Sequence, residues 1–145
     1  MPIWVNNGYD EFAKRMTSTC QLRLVELPME KRGKNVSINQ IVKKEADKIL
    51  SNVPKDCRLI ALDVKGKHID SQTMADQFSE WLQSGQDICF VIGGPDGLDP
   101  SCLSKANMIW SLSHLTFPHQ LVRIVLAEQL YRAWSIYQNH PYHRK

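Results

Sequence analysis

Long apolar runs are the first thing missing: nothing in the 145 residues approaches the ~20 needed to cross a bilayer, so no membrane partner is expected. Met1-Pro2-Ile3-Trp4 has neither the basic start nor the apolar core of a signal peptide, which points to the cytoplasm. Cysteine is sparse and scattered. Cys20, Cys57, Cys89 and Cys102 form no C-x-x-C pair, which argues against a disulfide framework or a clustered zinc site and for thiols in a reducing compartment. No G-x-G-x-x-G and no G-x-x-x-x-G-K-[ST] occurs, so a dinucleotide fold or a P-loop is disfavoured. His140 and His143 lie three apart without a third ligand, and no metal is expected. An excess of one charge is also lacking: a net +3 permits nucleic-acid binding without identifying it.

What is present reads as a single α/β domain over residues 1–145, with a mostly parallel sheet flanked by helices. Tyr9, Phe12, Ala13 and Met16 follow the spacing of an amphipathic helix. Leu22 to Leu27 reads as a strand closed by Pro28. Ser37 with Gln40 three residues on has the form of a capping box, opening a helix that buries Ile38, Ile41, Val42, Ile49 and Leu50. Leu59 to Val64 is a short apolar strand released at Lys65-Gly66-Lys67. Met74, Ala75, Phe78, Trp81 and Leu82 make a helical stripe that Gly85 is placed to end. Asp99-Pro100 supplies an N-cap and a first-turn proline. The last helix, about His119 to Tyr137, is apolar far beyond a ~100° stripe, so it must be buried on two sides, the second of them by another copy of the chain.

The chemistry concentrates after Ile88. The run Ile88-Cys89-Phe90-Val91-Ile92 stops at Gly93-Gly94-Pro95-Asp96-Gly97, and Ile109-Trp110 leads into Leu112 to His119. Strand ends that release into glycine- and hydroxyl-rich loops build ligand crevices in α/β sheets. These loops carry almost no charge, which suits a ligand held by backbone groups better than a clamped phosphate. A tight turn is the competing reading of GGPDG. Lys31, Arg32, Lys34, Lys65 and Lys67 read either as solvated loop charges or, interleaved with Gly33 and Gly66, as contacts to RNA phosphates. Arg132, on an apolar helix, has an ion pair with Glu128 at i, i+4 as its structural reading. The tail from His140 is either a frayed end or a substrate-facing element, with Pro141 stiffening it, Tyr142 able to stack and Arg144 able to pair with phosphate.

Ile92-Gly93-Gly94-Pro95, Ser111 to His119, Leu130-Tyr131-Arg132-Ala133 and Asn139 to Arg144, with Lys31 to Asn35 and Leu62 to Lys67 upstream, together resemble the ribosomal RNA large-subunit methyltransferase H family. The resemblance covers nearly the whole chain. It implies a SPOUT-type, trefoil-knotted α/β fold and an obligate homodimer. The family's first apolar strand, ahead of Pro2-Ile3-Trp4, has no counterpart here.

The resemblance also implies the cofactor, S-adenosylmethionine, contacted by Leu62, Gly93, Gly94, Leu112, Ser113, His114, Leu115, Thr116, Phe117 and Pro118, with Leu62 and Leu115 as apolar walls for adenine. The implied reaction is methyl transfer to N3 of a pseudouridine in 23S large-subunit ribosomal RNA, on the assembled ribosome. Tyr142, His143, Arg144 and Arg132 are the expected substrate-handling residues, with His143 the leading proton acceptor. The competing reading, from a different class, is a non-catalytic dimeric RNA- or ribosome-binding protein.

Overall fold

The computed structural model describes residues 2–16 and 20–144, the side chain of Arg144 excepted. The chain forms two compact units, one of Met1–Leu24, Ile69–Gln86 and Phe117–Lys145, the other of Val25–His68 and Asp87–Thr116.

The second unit holds the sheet. Its strands β1 (Arg58–His68), β2 (Ile88–Ile92) and β3 (Met108–Ser111) lie in the order β2-β1-β3, all parallel. Four consecutive residues of β1, Leu59 to Leu62, are buried, as a central parallel strand covered on both faces requires. On one face Leu59, Ala61 and Val91 pack with Ile49 and Leu50 from helix α2 (Ile38–Asn52), with Val53 at its C-cap and with Leu103 from α4 (Pro100–Lys105). The local signals for these helices hold. Ser37 Oγ accepts the Gln40 N–H at 3.2 Å, and the Asp99 carboxylate accepts the Ser101 N–H at 2.9 Å ahead of Pro100.

Three expectations need correction in this unit and at its boundary. Residues 22–27 form no strand: a strand exists only through its ladder, and no described strand pairs with this extended segment. Second, β1 does not end at Val64 but continues through Lys65-Gly66-Lys67 to His68. A register shift sets both Leu62 and Lys67 opposite Trp110, and a Cβ on Gly66 would stand 2.7 Å from the Ile109 carbonyl carbon, so glycine is what lets β1 close on β3 again. Third, Ile38 is 56% exposed, while Ile41, Val42 and Ala46 supply the buried face of α2.

The other unit is helical: α1 (Ile3–Ala13), α3 (Ser71–Ser84) and α5 (His119–Tyr137), followed by a 3₁₀ turn at Pro141–Arg144. Helix α3 starts on the Asp70 cap and ends at Gly85 in the left-handed region, φ 68°. Helix α1 begins earlier and ends sooner than its apolar spacing predicts, leaving Met16 beyond it. Helix α5 packs on both partners. Gly8 of α1 sits so close to Ile124 that an added Cβ would lie 2.6 Å from its Cδ1. Phe12 meets Tyr131 at 6.5 Å between ring centroids, and from α3 Phe78 meets Tyr137 edge-on at 6.4 Å. Two helices of its own chain thus cover part of the wide apolar circumference of α5, while Leu121, Val122, Ile124, Val125, Trp134 and Ile136 stay half-buried. Among the described residues no helix is long and apolar enough to cross a membrane.

Candidate functional site

The register of the sheet places Ile92, Leu62 and Trp110 side by side; Gly93 follows the end of β2, and beyond the register shift Ser111 ends β3 paired with His68, the last residue of β1, so the loops after β2 and β3 leave from the carboxyl ends of their strands. This is where an open α/β sheet presents a ligand crevice. The glycines of the first loop have separate reasons to be glycine. Gly97 has φ 80° and closes a turn by donating its N–H to the Gly94 carbonyl at 3.0 Å. Gly93 is held by packing, since a Cβ there would lie 2.6 Å from the backbone carbon of Gly97. Gly94 has neither constraint: its φ is not positive, and an added Cβ would reach only Glu45 Oε1, Arg32 Nη2 and Met29 Sδ at 3.6–3.8 Å.

The second loop, after β3, is shaped by its hydroxyls. Ser111, 2% exposed, donates its Oγ–H to the Ser113 carbonyl at 3.0 Å, and Ser113 Oγ accepts the Leu115 N–H at 2.9 Å. The turn leaves Leu115 67% exposed, an apolar side chain unexplained by the fold. Leu112 is half-buried, His114 lies against His68 with ring centroids 3.8 Å apart and the planes tilted by 32°, and Thr116 is exposed. Leu62 is buried in β1 at 9% exposure, so of the two leucines expected to flank a ligand only Leu115 stands open. Phe117 and Pro118 belong to the helical unit, Pro118 at the N-cap position of α5.

A salt-bridged arginine borders the glycine loop. The Arg32 guanidinium donates from Nε and Nη2 to Asp96 at 3.2 and 3.1 Å, from Nη1 and Nη2 to Glu45 at 2.8 and 3.3 Å, and from Nη1 to the Glu30 carbonyl at 2.9 Å. All five N–H groups are used, which leaves none for a phosphate in this arrangement. Glu45 also accepts the Glu30 N–H at 3.2 Å. Lys31, Lys34, Lys65 and Lys67 are exposed, the last two on a strand and not on the expected loop.

In the helical unit the expected substrate residues converge on α5. Glu128, Arg132 and Ser135 lie on one face of that helix. Arg132 does pair with Glu128, through Nε at 3.1 Å and Nη2 at 2.7 Å. The same Glu128 oxygen accepts the Tyr142 hydroxyl at 2.8 Å, so the tail is docked on α5 by a charge-assisted bond. Two guanidinium groups lie over the Tyr142 ring, Arg132 at 5.2 Å and Arg15 at 6.0 Å from its centroid. Burial, with the Glu128 bond behind it, holds the Tyr142 phenol above its ordinary pKa. His143 sets Nδ1 3.3 Å from the Oγ of Ser135, which is fully buried. The side chain of Arg144 lies outside the described residues.

Sequence reasoning missed Arg15, Glu45 and Ser135, and saw in Glu128 only an ion-pair partner. The i, i+4, i+7 spacing of Glu128, Arg132 and Ser135 was the available signal. Nothing in the spacing marked Arg15 or Glu45, whose partners are distant in sequence. Among the described residues no group of three His, Cys, Asp or Glu side chains could hold a metal.

Comparison with known proteins matches a family model described as a predicted SPOUT methyltransferase to residues 1–143. The chain is 53% identical over 145 residues to the ribosomal RNA large subunit methyltransferase H of Hydrogenovibrio crunogenus, covering 100% of this chain and 93% of that protein. It is 49% identical over 144 residues to the protein of the same name from a Marinomonas species, covering 99% and 93%. To that of Thioalkalivibrio sulfidiphilus it is 47% identical over 145 residues, covering 100% and 93%.

Proposed function

This chain belongs to the SPOUT methyltransferase family, and from that premise we propose that it methylates N3 of a pseudouridine in 23S large-subunit ribosomal RNA. The methyl donor is S-adenosylmethionine, the working form a cytoplasmic homodimer with the family's knotted fold, and the substrate the assembled ribosome.

The observation that carries the reading is Gly94. Its glycine is required neither by backbone conformation nor by packing, and it lies in the loop that leaves the carboxyl end of β2. A position kept free of a Cβ suits close approach of a flat, uncharged ring such as adenine. Loops with so few cations of their own also suit a ligand that is itself a sulfonium. S-adenosylmethionine, when bound, supplies an electrophilic methyl carbon.

The rest falls to this chain's residues. Gly93, Gly94 and residues 112–116 hold the ligand by backbone groups, and Phe117 and Pro118 continue that stretch. Tyr142, Arg144 and Arg132 position the base and its charge. His143 accepts the N3 proton as the nitrogen pair bonds to the methyl carbon. S-adenosylmethionine, held there, would leave as its neutral thioether, so that charge and atoms would balance. Much of the acceleration is alignment of nitrogen, carbon and sulfur, with proton removal adding to it.

The test is transfer of labelled methyl to assembled ribosomes, free large subunits and naked RNA, with the modified nucleotide mapped. Label at pseudouridine N3 in ribosomes supports the proposal. Cofactor binding without transfer to any of the three would leave a ribosome- or RNA-binding protein, and label elsewhere would reassign the substrate.

A further inference from the structure

The buried hydroxyl of Ser135 has one proton, and the shorter of its two contacts, an oxygen–oxygen distance that would be repulsive without a proton between, decides where it goes. Ser135 Oγ–H donates to the Arg132 carbonyl at 2.7 Å, the bond to a carbonyl of the preceding turn that a helical serine commonly makes. The second neighbour of the same oxygen is His143 Nδ1 at 3.3 Å. With its proton already committed, the hydroxyl can only accept, so the imidazole must donate from Nδ1. The neighbouring histidine is arranged the other way: the Tyr142 N–H donates to His140 Nδ1 at 3.2 Å, which requires a lone pair on that atom.

We propose that Ser135 is a positioning residue that holds neutral His143 as the Nδ1–H tautomer, leaving Nε2 as the nitrogen that accepts the substrate proton, while His140, three residues earlier, is held in the opposite tautomer. The catalytic half of this statement rests on the reading of His143 as proton acceptor; the tautomer half does not. Which imidazole nitrogen is free is set by the bond the other one makes. Ser135 lies on α5, buried and one turn beyond Arg132, so the rigid helix fixes both the ring's place and its proton. The Nε2–H tautomer would aim a donor where the imide N3–H also needs an acceptor, and the two protons would repel.

The experiment is a long-range ¹H–¹⁵N correlation of the histidine ring nitrogens in the full-length protein at a pH where the rings are neutral, alongside methyl-transfer kinetics for Ser135→Ala and His143→Ala. His143 is expected with a protonated Nδ1 and an unprotonated Nε2, and His140 with the reverse pattern. Ser135→Ala should convert His143 toward the Nε2–H form. Its kcat should fall roughly tenfold with KM for ribosomes little changed, short of the ~10²–10⁴-fold loss typical of removing a general base. An Nε2–H His143 in the unmodified protein overturns the proposal, and so does a tautomer that Ser135→Ala leaves in place. If the tautomers are as expected but His143→Ala turns over normally, the base assignment fails and the structural assignment stands. A Ser135→Ala loss that appears in KM alone would mark the serine as a docking residue and overturn its role in proton transfer.

Discussion

Gly93 and Gly94 are adjacent and identical in sequence, yet space gives them opposite tolerances. Gly93→Ala drives a methyl group into the Gly97 backbone, where neither side can yield without moving the loop. We expect a loss of about 1–3 kcal/mol on thermal or denaturant unfolding, the usual range for overpacking. Gly94→Ala meets only ordinary contacts. Its melting temperature should stay close to that of the unmodified protein while S-adenosylmethionine affinity, read by calorimetry, falls. If both variants melt normally and bind normally, the crevice is misplaced. The run Gly-Gly-Pro-Asp-Gly announced a turn and a strand end in the sequence, but which glycine serves packing, which the left-handed turn and which a ligand depends on atoms that local spacing does not encode. Tyr142 offers a test by pH. Burial and the Glu128 bond raise its pKa, so the docked tail is favoured while the phenol is protonated. That contribution is fully present below the unfolded value near ~10 and lost as pH rises through the higher folded value. Burial raises Tyr9 as well, so phenolate absorbance should show late-titrating tyrosines of which Tyr142→Phe removes one.

Helix ends were the most legible elements because their causes are local. The Ser37 and Asp99 caps and the Gly85 terminus, all read from the sequence, each involve residues within four positions of one another, as does the Asp70 cap, which sequence reasoning missed. Gly85→Ala should cost about 1–2 kcal/mol, from the left-handed backbone alone, since nothing lies within 4 Å of the added methyl; ligand affinity should be untouched. Strands were harder. Residues 22–27 have the composition of one without a described partner, and the second half of β1 pairs with β3 only because Gly66 allows it, both matters decided far along the chain. The Arg32 clasp belongs to the same class, joining positions 13 and 64 residues away. Arg32→Lys keeps the charge but loses the fork that spans Glu45 and Asp96. The expected result is a several-fold weaker S-adenosylmethionine affinity with unchanged secondary structure by circular dichroism; unchanged affinity would show that the Glu30–Lys34 segment does not border the ligand.

For the whole molecule, the expected homodimer has apolar surface to draw on beyond the half-buried residues of α5. Ile3 and Trp4 on α1 are 78% and 54% exposed, and Ile38 and Val64 stand similarly open. Sedimentation of the unmodified protein should give a dimer at micromolar concentration, and a persistent monomer would refute it. Ile124→Glu, which looks like an interface probe from sequence, instead attacks the packing of α5 against Gly8 and should unfold the helical unit. That unit is assembled from the beginning, middle and end of the chain. During synthesis at ~5–20 residues per second, α1 would emerge roughly 5–20 s before the helix that covers it. Over that interval Val5 and Phe12 have no native shelter, so the nascent chain depends on a holding factor or on the delay itself being short. Slowing translation between α1 and α5 should lower the soluble yield of this protein more than slowing it after α5.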